Sequence, residues 1–557
     1  MKTNIEIAQE AQCLPIEKVA AKIGLANGDI QMCGTYMAKV QLRVLRRFDD
    51  RPTGKLIVTT AITPTPAGEG KTVTTIGLVE GLGSLGQSVM GCLRQPSLGP
   101  VFGVKGGATG GGLAQIYPMW DIDLHFTGDI HAVGAAHNLL SAMIENHIQR
   151  QNTLNIDPTR ILWKKALDMN CRELRQIVVG LGGRGEGGVP HESGFMITAA
   201  SEISAILALS TSLDDLKKRL SAMVVARTYD KKPVYAKDLG CVGAMALLLR
   251  NAIRPNLVQT LEGQPVFVHG FPFANIAHGN NSIIATRYAL RMADYVVTEA
   301  GFATDLGAEK FFDIVCRGSG LRPDCAVLVA SIRALKMHGG CPFEKCDVRN
   351  LVALEKGFAN LDKHIANLKL FGVPVVVAVN RFPTDTVEEV HFVLTHCKKL
   401  GVRAALSTVF DEGGRGGQML AQQVVEAIQN DKNEFHVLYD EKLPVRDKIE
   451  AIAHQVYGAK AVKFHADAEK DLKDIQAMGM DKFPVCIAKT QHSLSDDPKA
   501  KGAPTDWTLT VRDLNISAGA GFIVAVCGDI MLIPGLPSEP SALNMDVLDD
   551  GTIIGLN

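Results

Sequence analysis

The stretch that decides the fold spans residues 55–94 and reads KLIVTTAITPTPAGEGKTVTTIGLVEGLGSLGQSVMGCLR. Its β-branched run over 55–62 predicts a buried strand, and the apolar periodicity from Lys71 to about Gly86 predicts a helix. A glycine-containing loop, TPAGEGKT at 65–72, joins the two. Small residues let backbone N–H groups approach an anion, and a helix N-terminus favours negative charge. The segment therefore predicts a phosphate-binding loop.

Within this loop, residue chemistry indicates individual roles. Lys71 would reach the terminal phosphates of a nucleotide, and the Thr72 hydroxyl would bind Mg²⁺. The sequence departs from the usual G-x-x-x-x-G-K-[ST] pattern at Thr65, where the first glycine is expected. An ordinary strand–turn–helix with a chance lysine is the alternative, but both flanking elements lie where the motif requires them. The predicted ATP-binding residues are Thr65, Pro66, Ala67, Gly68, Glu69, Gly70, Lys71 and Thr72.

The bulk composition is that of a globular enzyme. The chain has 557 residues, of which 46% are hydrophobic and 21% charged, which leaves room for two or three domains. Lys and Arg number 58 against 59 Asp and Glu, so no net field attracts nucleic acid or anionic membrane. The N-terminus lacks the apolar core of a secretion signal, and no uncharged apolar stretch reaches the length of a bilayer span. These features predict a cytoplasmic protein with no nucleic-acid or membrane partner.

Strand-like and helical patterns alternate along the rest of the chain. Apolar runs over 326–332 and 373–379 are typical of strands covered on both faces, and strands are also expected at 266–269 and 295–298. Helical patterns separate them, which predicts an α/β fold that is P-loop NTPase-like, with a largely parallel, doubly wound sheet and smaller accessory α/β and α+β domains. Ligands of such sheets bind beyond the carboxyl ends of the strands. The segments expected there contain Arg94, His269, 298–302 and 380–385.

A second glycine cluster, residues 99–112, follows the strand that ends at Arg94. So many residues without a Cβ suggest backbone that wraps closely around phosphate or a second substrate, although a merely flexible loop has the same composition. Arg94 could clamp a phosphoryl group in bidentate fashion, or could be an ordinary surface arginine. Asp129 is either an acid that binds Mg²⁺ or positions water, or the N-cap of a helix running from about Ala132.

Several longer blocks resemble the formate–tetrahydrofolate ligase (formyltetrahydrofolate synthetase) family. They occur in the family's order and run almost end to end, so the resemblance is far more specific than one loop. The blocks are TPAGEGKT at 65–72, PSLGPVFGVKGG at 96–107, DLHFTGDIHA at 123–132, ADYVVTEAGFATDLGAEKFFDI at 293–314, VASIRALKMHGG at 329–340, GVPVVVAVNRFPTDT at 372–386, CIAKTQHSLSDDP at 486–498 and SAGAGFIVAVCGDIMLIPGLP at 517–537.

The resemblance implies a ligase that joins formate to tetrahydrofolate. ATP and Mg²⁺ would convert formate into formyl phosphate, and attack by N10 of tetrahydrofolate would give 10-formyltetrahydrofolate, ADP and phosphate. It further implies a homotetramer and activation by a monovalent cation such as K⁺ or NH₄⁺. The expected domains are a large nucleotide-binding domain at 1–365, an α/β segment at 366–435 that contributes to the folate and nucleotide site, and an α+β domain at 436–557.

The expected site residues combine the residue chemistry above with the resemblance. Lys71, Arg94 and Asp129 are the expected catalytic residues, Asp129 on the basis of its own chemistry alone. Formate or formyl phosphate is expected at Arg94, Gln95, Gly106 and His131. The folate ring is expected between Phe302 and Phe410, with Pro383 and Leu406 lining the slot.

The chain departs from the family pattern mainly around the expected acceptor pocket. Gln95 stands where a glutamate is usual, and Phe410 stands where the stacking residue is a tryptophan. The other departures are Thr109, Leu113, Trp120, Cys171, Met196, Phe271 and Asn280. A working enzyme that has drifted is one interpretation, since most sites tolerate substitution. A divergent paralogue that acts on another small carboxylate or amine, or a nucleotide-binding protein with little catalysis, is the alternative.

Overall fold

A computed structural model describes residues 2–103, 109–528 and 532–556. Its largest feature is a sheet in which twelve strands of the described chain take part. Seven of them are parallel and lie side by side, up to one edge of the sheet. In chain order they are β1 (Lys55–Ala61), β2 (Val89–Leu93), β3 (Pro265–Val268), β4 (Tyr295–Ala303), β5 (Cys325–Ala330), β6 (Val375–Asn380) and β7 (Arg403–Ser407).

The spatial order of these strands is β3–β2–β4–β1–β5–β6–β7. The chain therefore reverses direction across the sheet near β1, with β4 on one side of β1 and β5 on the other. In a sheet of this kind, ligands bind beyond the carboxyl ends of the strands at such a reversal. The segments that follow β1, β2 and β4 meet there.

Helices cover both faces of the sheet. They are α1 (Lys71–Ser84), α3 (Ile283–Met292), α4 (Ile332–His338), α5 (Leu351–Leu370), α6 (Val387–Lys399) and α7 (Val409–Asn430), which is kinked at Gly413. Helix α2 (Asp129–Arg150) instead packs mainly on smaller elements, among them the helix Val242–Leu249. Helices α1 and α7 pack on one face, where Leu78 and Leu420 meet Ile57 of β1. Helices α3, α4 and α5 pack on the other, where Leu335 and Leu361 share a core with other strand residues.

The predicted mixed α/β fold with a mostly parallel sheet is confirmed. Strands β1, β5 and β6 are buried along almost their whole length, as their continuous apolar runs indicate. The prediction of β4 was too short, because the strand continues past Thr298 to Ala303. Register shifts against β1 between Glu299 and Ala303, so this strand end bulges out of regular pairing.

Smaller elements surround this sheet. Antiparallel strands Asn256–Thr260, Ala38–Val40, Ile30–Met32, Ala114–Tyr117 and Gly110–Gly111 complete its edge next to β3. A three-stranded sheet contains Ile156–Ile161, Val224–Thr228 and Pro233–Tyr235, with helices Glu202–Leu209, Leu213–Ala222 and Val242–Leu249 nearby. A four-stranded sheet contains Ala461–Phe464, Val485–Ala488, Thr508–Ser517 and Phe522–Cys527, with helices Val445–Ala451 and Ala466–Ala477.

The domain limits at 365 and 435 remain predictions. Strands β5 and β6 lie on opposite sides of the first limit but pair with each other in one sheet. The four-stranded sheet of residues 461–527 lies wholly beyond the second limit. Among the described residues, no helix combines the length and the apolar character that crossing a bilayer would require.

Candidate active site

The loop between β1 and α1 has a backbone that only glycine adopts easily. Gly68 and Gly70 have φ angles of 82° and 68°. A Cβ on Gly70 would lie 2.3 Å from Nδ2 of Asn380, at the end of β6. That amide donates to the carbonyl of Glu69 at 3.0 Å. The loop is thus pressed against a second strand end, which a side chain at Gly70 would prevent.

The side chain of Glu69 closes the loop from within. Its carboxylate accepts a hydrogen bond from the Thr65 backbone N–H at 2.6 Å and another from the Ser331 hydroxyl. Burial raises the pKa of Glu69 to about 7, although these hydrogen bonds oppose the shift. Thr65, the departure from the usual motif, is buried, and its hydroxyl lies 3.4 Å from the carbonyl of Gly68. Thr65 therefore fits into the loop, where its backbone and side chain contact Glu69 and Gly68.

Three groups from two segments, the start of α1 and the residue after β2, converge on the fully buried carboxylate of Glu299 in β4. Lys71 forms an ion pair with it, the Thr72 hydroxyl donates to Oε2 at 3.0 Å, and Arg94 Nε donates to Oε1 at 3.3 Å. Parallel pairing of β4 with both β1 and β2 brings these strand ends together. The Lys71 ammonium and the Arg94 guanidinium are consequently held on the two oxygens of one carboxylate.

The charge state of Glu299 follows from these neighbours. Burial alone would raise its pKa, but the charges of Lys71 and Arg94 and the hydrogen bonds outweigh that effect and hold the pKa at about 2. The carboxylate is ionised at neutral pH, and the cluster of one anion and two cations has net positive charge. Such a cluster favours a further anion.

A cavity of about 550 Å³ opens above this cluster. Its lining combines the loop, the segments after β2 and β3, the end of β4, and Asn4 of the helix Asn4–Glu10. The lining residues include Pro64, Ala67, Gly68, Glu69, Gly70, Lys71, Thr72, Arg94, Gln95, Phe271, Phe273 and Phe302. A volume of this size accommodates a small-molecule substrate or part of a larger one.

Gln95 presents an unused amide to this cavity. The residue is 3% exposed, and neither Oε1 nor Nε2 has a hydrogen-bond partner among the described residues. Its backbone N–H donates to the Gly270 carbonyl at 2.8 Å, which fixes the segment beside Phe271. Buried amides are normally hydrogen-bonded, so this one has capacity for a polar ligand or water.

The predicted folate residues occupy different surroundings. Phe302 lines the cavity and has a left-handed φ of 59°, which a bulky residue adopts at an energetic cost. Phe410 is the second residue of α7 and packs on the glycine cluster, where a Cβ on Gly112 would lie 2.8 Å from Cγ of its ring. Leu406 is half-buried in β7, and Pro383 is exposed after β6. Of these four, Phe302 is the one that lines the described cavity.

Two predicted residues lie apart from the cavity, and one falls outside the described residues. Asp129 is the first residue of α2 rather than its N-cap, and its buried carboxylate pairs with Lys39 Nζ at 2.7 Å and accepts from Asn256 Nδ2 at 2.7 Å. His131 is exposed in the first turn of α2. Gly106 belongs to the segment 104–108, outside the described residues.

The central role of Glu299 was missed in the sequence. The sequence predicts functional residues within 298–302. Glu299 was not singled out, because one acidic residue in an apolar strand is also typical of an isolated buried polar residue. Its partners Lys71 and Arg94 lie more than two hundred positions earlier in the chain. The available signal was its position at the predicted carboxyl end of a parallel strand.

The fold and the site together define an α/β protein whose parallel strands place a glycine-rich loop and two cations at the floor of one cavity. A family model described as formate–tetrahydrofolate ligase matches residues 2–557, essentially the whole chain. The chain therefore belongs to the formate–tetrahydrofolate ligase family. Membership supports that enzyme activity, with ATP and tetrahydrofolate as substrates, and confirms the resemblance found in the sequence.

Proposed function

We propose that the protein forms 10-formyltetrahydrofolate from formate, ATP and tetrahydrofolate through a formyl phosphate intermediate. The convergence of Lys71, Thr72 and Arg94 on Glu299 at the cavity floor is the observation that supports this reaction most strongly. Phosphoryl transfer needs in-line positioning and charge neutralisation more than covalent help, and two cations beside an anion-binding loop supply both.

The chemistry proceeds in two balanced steps. A formate oxygen attacks the γ-phosphorus of ATP, the bond to the β-phosphate oxygen breaks, and ADP leaves. N10 of tetrahydrofolate then attacks the formyl carbon, phosphate departs, and N10 loses its proton. The first step is required because formate itself offers no leaving group to an amine.

Each residue of the floor has a part in this scheme. Lys71 and the N–H groups of the loop bind the phosphates, in a P-loop NTPase-like arrangement. Arg94 holds the formyl phosphate, and the free amide of Gln95 hydrogen-bonds its formyl or phosphoryl oxygen. A preorganised contact of this kind contributes roughly 3–4 kcal/mol to transition-state stability.

Mg²⁺ would be held by Thr72 together with the nucleotide, and Glu299 fits as its second protein partner. The Thr72 hydroxyl and Glu299 Oε2 already lie 3.0 Å apart, and oxygen donors of this type suit a hard cation. Lys71 would leave Glu299 when phosphates arrive, which frees that carboxylate. In Glu299→Gln we expect Mn²⁺ affinity in the presence of ADP to fall about tenfold by electron paramagnetic resonance; unchanged affinity would exclude the role.

The remaining assignments follow the family resemblance. Phe302, Pro383, Leu406 and Phe410 are proposed to hold the folate, and the protein is proposed to be a cytoplasmic homotetramer activated by K⁺ or NH₄⁺. Gly106 and His131 stay proposed formate-site residues. The ion pair with Lys39 favours a structural role for Asp129 over the proposed catalytic one.

A direct assay tests the proposed reaction. Enzyme is mixed with Mg-ATP, formate and tetrahydrofolate, and acidification converts the product to its methenyl derivative, which absorbs visibly. Omitting each substrate in turn should abolish the signal. Absence of product with all substrates present, while ADP still binds, would favour a silent nucleotide-binding protein.

Gln95, whose side-chain amide has no hydrogen-bond partner among the described residues, and the cavity-lining ring of Phe271 support a second candidate function. Both depart from the family pattern, and a bulky ring replaces a glycine. A paralogue that activates a different small carboxylate, or uses a different amine, fits the same floor. It would release ADP in a formate-dependent or carboxylate-dependent reaction without forming the formylated folate.

A further inference from the structure

A buried hydrogen-bonded chain joins the start of the loop to the bend that carries Phe302. Thr63 is the second residue after β1 and precedes Pro64 of the cavity lining. Thr304 follows the left-handed Phe302 by two residues. His364 of α5 lies between these threonines, and all three residues are 0–1% exposed.

The two ring nitrogens of His364 have different partners. Nε2 accepts the Thr63 backbone N–H at 2.9 Å and lies 2.9 Å from the Thr63 hydroxyl. Since the N–H can only donate, Nε2 carries no proton and the proton is on Nδ1. Nδ1 therefore donates to the Thr304 hydroxyl oxygen at 2.6 Å. The His364 ring therefore connects the segment after β1 to the segment after β4.

Further buried groups keep this ring in place. Asn360 donates to the Thr63 hydroxyl at 3.0 Å, and Asn367 donates to the Thr304 hydroxyl at 3.2 Å. His338 Nε2 donates to the Thr63 carbonyl at 3.0 Å, because its Nδ1 accepts the Gly502 N–H. Both peptide groups of Thr63 are thus held by histidines.

The histidines remain neutral over the working pH range. Burial lowers the pKa of His364 to about 3 and that of His338 to about 4. A second proton on His364 would remove the acceptor for the Thr63 N–H, so the connection from Thr63 to Thr304 requires the neutral ring. The arrangement is fully buried and uses neither Lys71 nor Arg94.

We infer that His364 is a positioning residue that couples nucleotide binding at the loop to folate binding at Phe302. This inference rests on the proposed function of both regions. Nucleotide binding fixes the segment after β1, and folate binding fixes the segment after β4. Because the His364 ring can hydrogen-bond to both Thr63 and Thr304 in only one orientation, fixing either segment restricts the other. Coupling of this kind is reciprocal, so each ligand should tighten the other by the same factor.

Two substitutions of His364 break the hydrogen-bonded connection between Thr63 and Thr304, each at a different end. His364→Gln can keep an acceptor near the Nε2 position for Thr63 but loses the contact to Thr304. His364→Asn can keep a donor near the Nδ1 position for Thr304 but loses the contact to Thr63. Thr304→Val removes the hydroxyl at similar volume and serves if either histidine variant fails to fold.

Calorimetric titration of Mg-ADP with and without tetrahydrofolate measures the coupling. In the wild type we expect each ligand to tighten the other about fivefold or more. All three variants should reduce the factor to about one, with His364→Gln mainly weakening folate and His364→Asn mainly weakening nucleotide. A loss of thermal stability without loss of coupling would show a purely structural role.

His137→Gln is the matched control. His137 is equally buried, its nitrogens contact the Ser201 hydroxyl at 2.8 Å and the Lys164 carbonyl at 2.9 Å, and it is remote from the cavity lining. It should lower stability and leave coupling intact. Independent binding of both ligands in the wild type, or equal loss of coupling in the control, overturns the inference. A wild type that binds neither ligand refutes the proposed function and the coupling with it.

Discussion

The side of the cavity formed by the phosphate-binding loop and the side expected to hold formate and folate, the acceptor side, differ in whether their buried polar groups have hydrogen-bond partners. On the loop side, Glu69 accepts from Thr65 and Ser331, and Asn380 donates to the loop backbone. On the acceptor side, Gln95 has two unpartnered atoms. Three buried residues that do not line the cavity, His278, Asn280 and Asn281, also carry side-chain atoms without a hydrogen-bond partner among the described residues.

This difference separates a preassembled part of the site from an adaptable part. The loop side has its hydrogen bonds in place before any ligand binds, so it can favour phosphate without reorganising. The acceptor side retains hydrogen-bonding capacity for a polar ligand or water. The departures Gln95 and Phe271 both line that second side.

The strongest test of the preassembled side is Lys71→Ala. Loss of the ammonium should reduce kcat at least about 1000-fold, because the transferring phosphoryl group loses a preorganised charge. Steady-state assays with saturating Mg-ATP measure this effect. Lys55→Ala, which breaks the exposed pair with Asp324 at the other end of β1, should remain close to wild type. Full activity of Lys71→Ala would refute the assignment of the loop.

Glu69→Gln tests the buried acid that closes the loop. Its pKa is about 7 in the folded protein against an ordinary value of 4.5, so the folded state holds the proton more tightly. The free energy of unfolding should therefore fall as pH rises from about 4.5 to about 7, by at most roughly 3 kcal/mol from this group.

Urea unfolding at pH 5.0 and 7.5 measures that dependence. Glu69→Gln should show a smaller loss of stability between these pH values than the wild type. Other buried acids, such as Glu202, titrate in both proteins and cancel in the comparison. Identical pH dependence of the two proteins would show that Glu69 is ionised throughout.

Gln95→Glu tests the adaptable side. A carboxylate beside Arg94 would repel an anionic substrate at short range, so we expect KM for formate to rise about tenfold, equivalent to about 1.4 kcal/mol. Gln95→Met separates this repulsion from the loss of hydrogen bonds, because it removes the amide without adding charge. A lower KM for formate in Gln95→Glu would show that the acceptor pocket requires an acid.

Phe410→Trp tests the proposed stacking face. A larger ring should lower KM for tetrahydrofolate about threefold, since an aromatic pair contributes roughly 0.5–1.5 kcal/mol beyond its buried area. Initial rates at varied tetrahydrofolate measure it, with KM for ATP as the internal control. No change in KM for tetrahydrofolate would place the folate elsewhere.

Much of the fold could be predicted because its signals are local. Runs such as 326–332 and 373–379 are too apolar for anything but covered strands, and TPAGEGKT lies between a strand and a helix as required. Lys71 and Thr72 were singled out for the same reason, whereas Arg94 was singled out by its place after a predicted strand and by the family resemblance. The extension of β4 to Ala303 was not foreseen, because its bulge depends on pairing with β1.

The sequence by itself determined the α/β class, the loop and the family, since each depends on residue types at short or fixed spacing. Only the tertiary structure decided that Glu299 is the shared anion of Lys71, Thr72 and Arg94, and that His364 joins Thr63 to Thr304. These groups are far apart in the chain. Their contacts arise from the order of parallel strands and from burial, which shifts charge and hydrogen bonding in ways that no local pattern encodes.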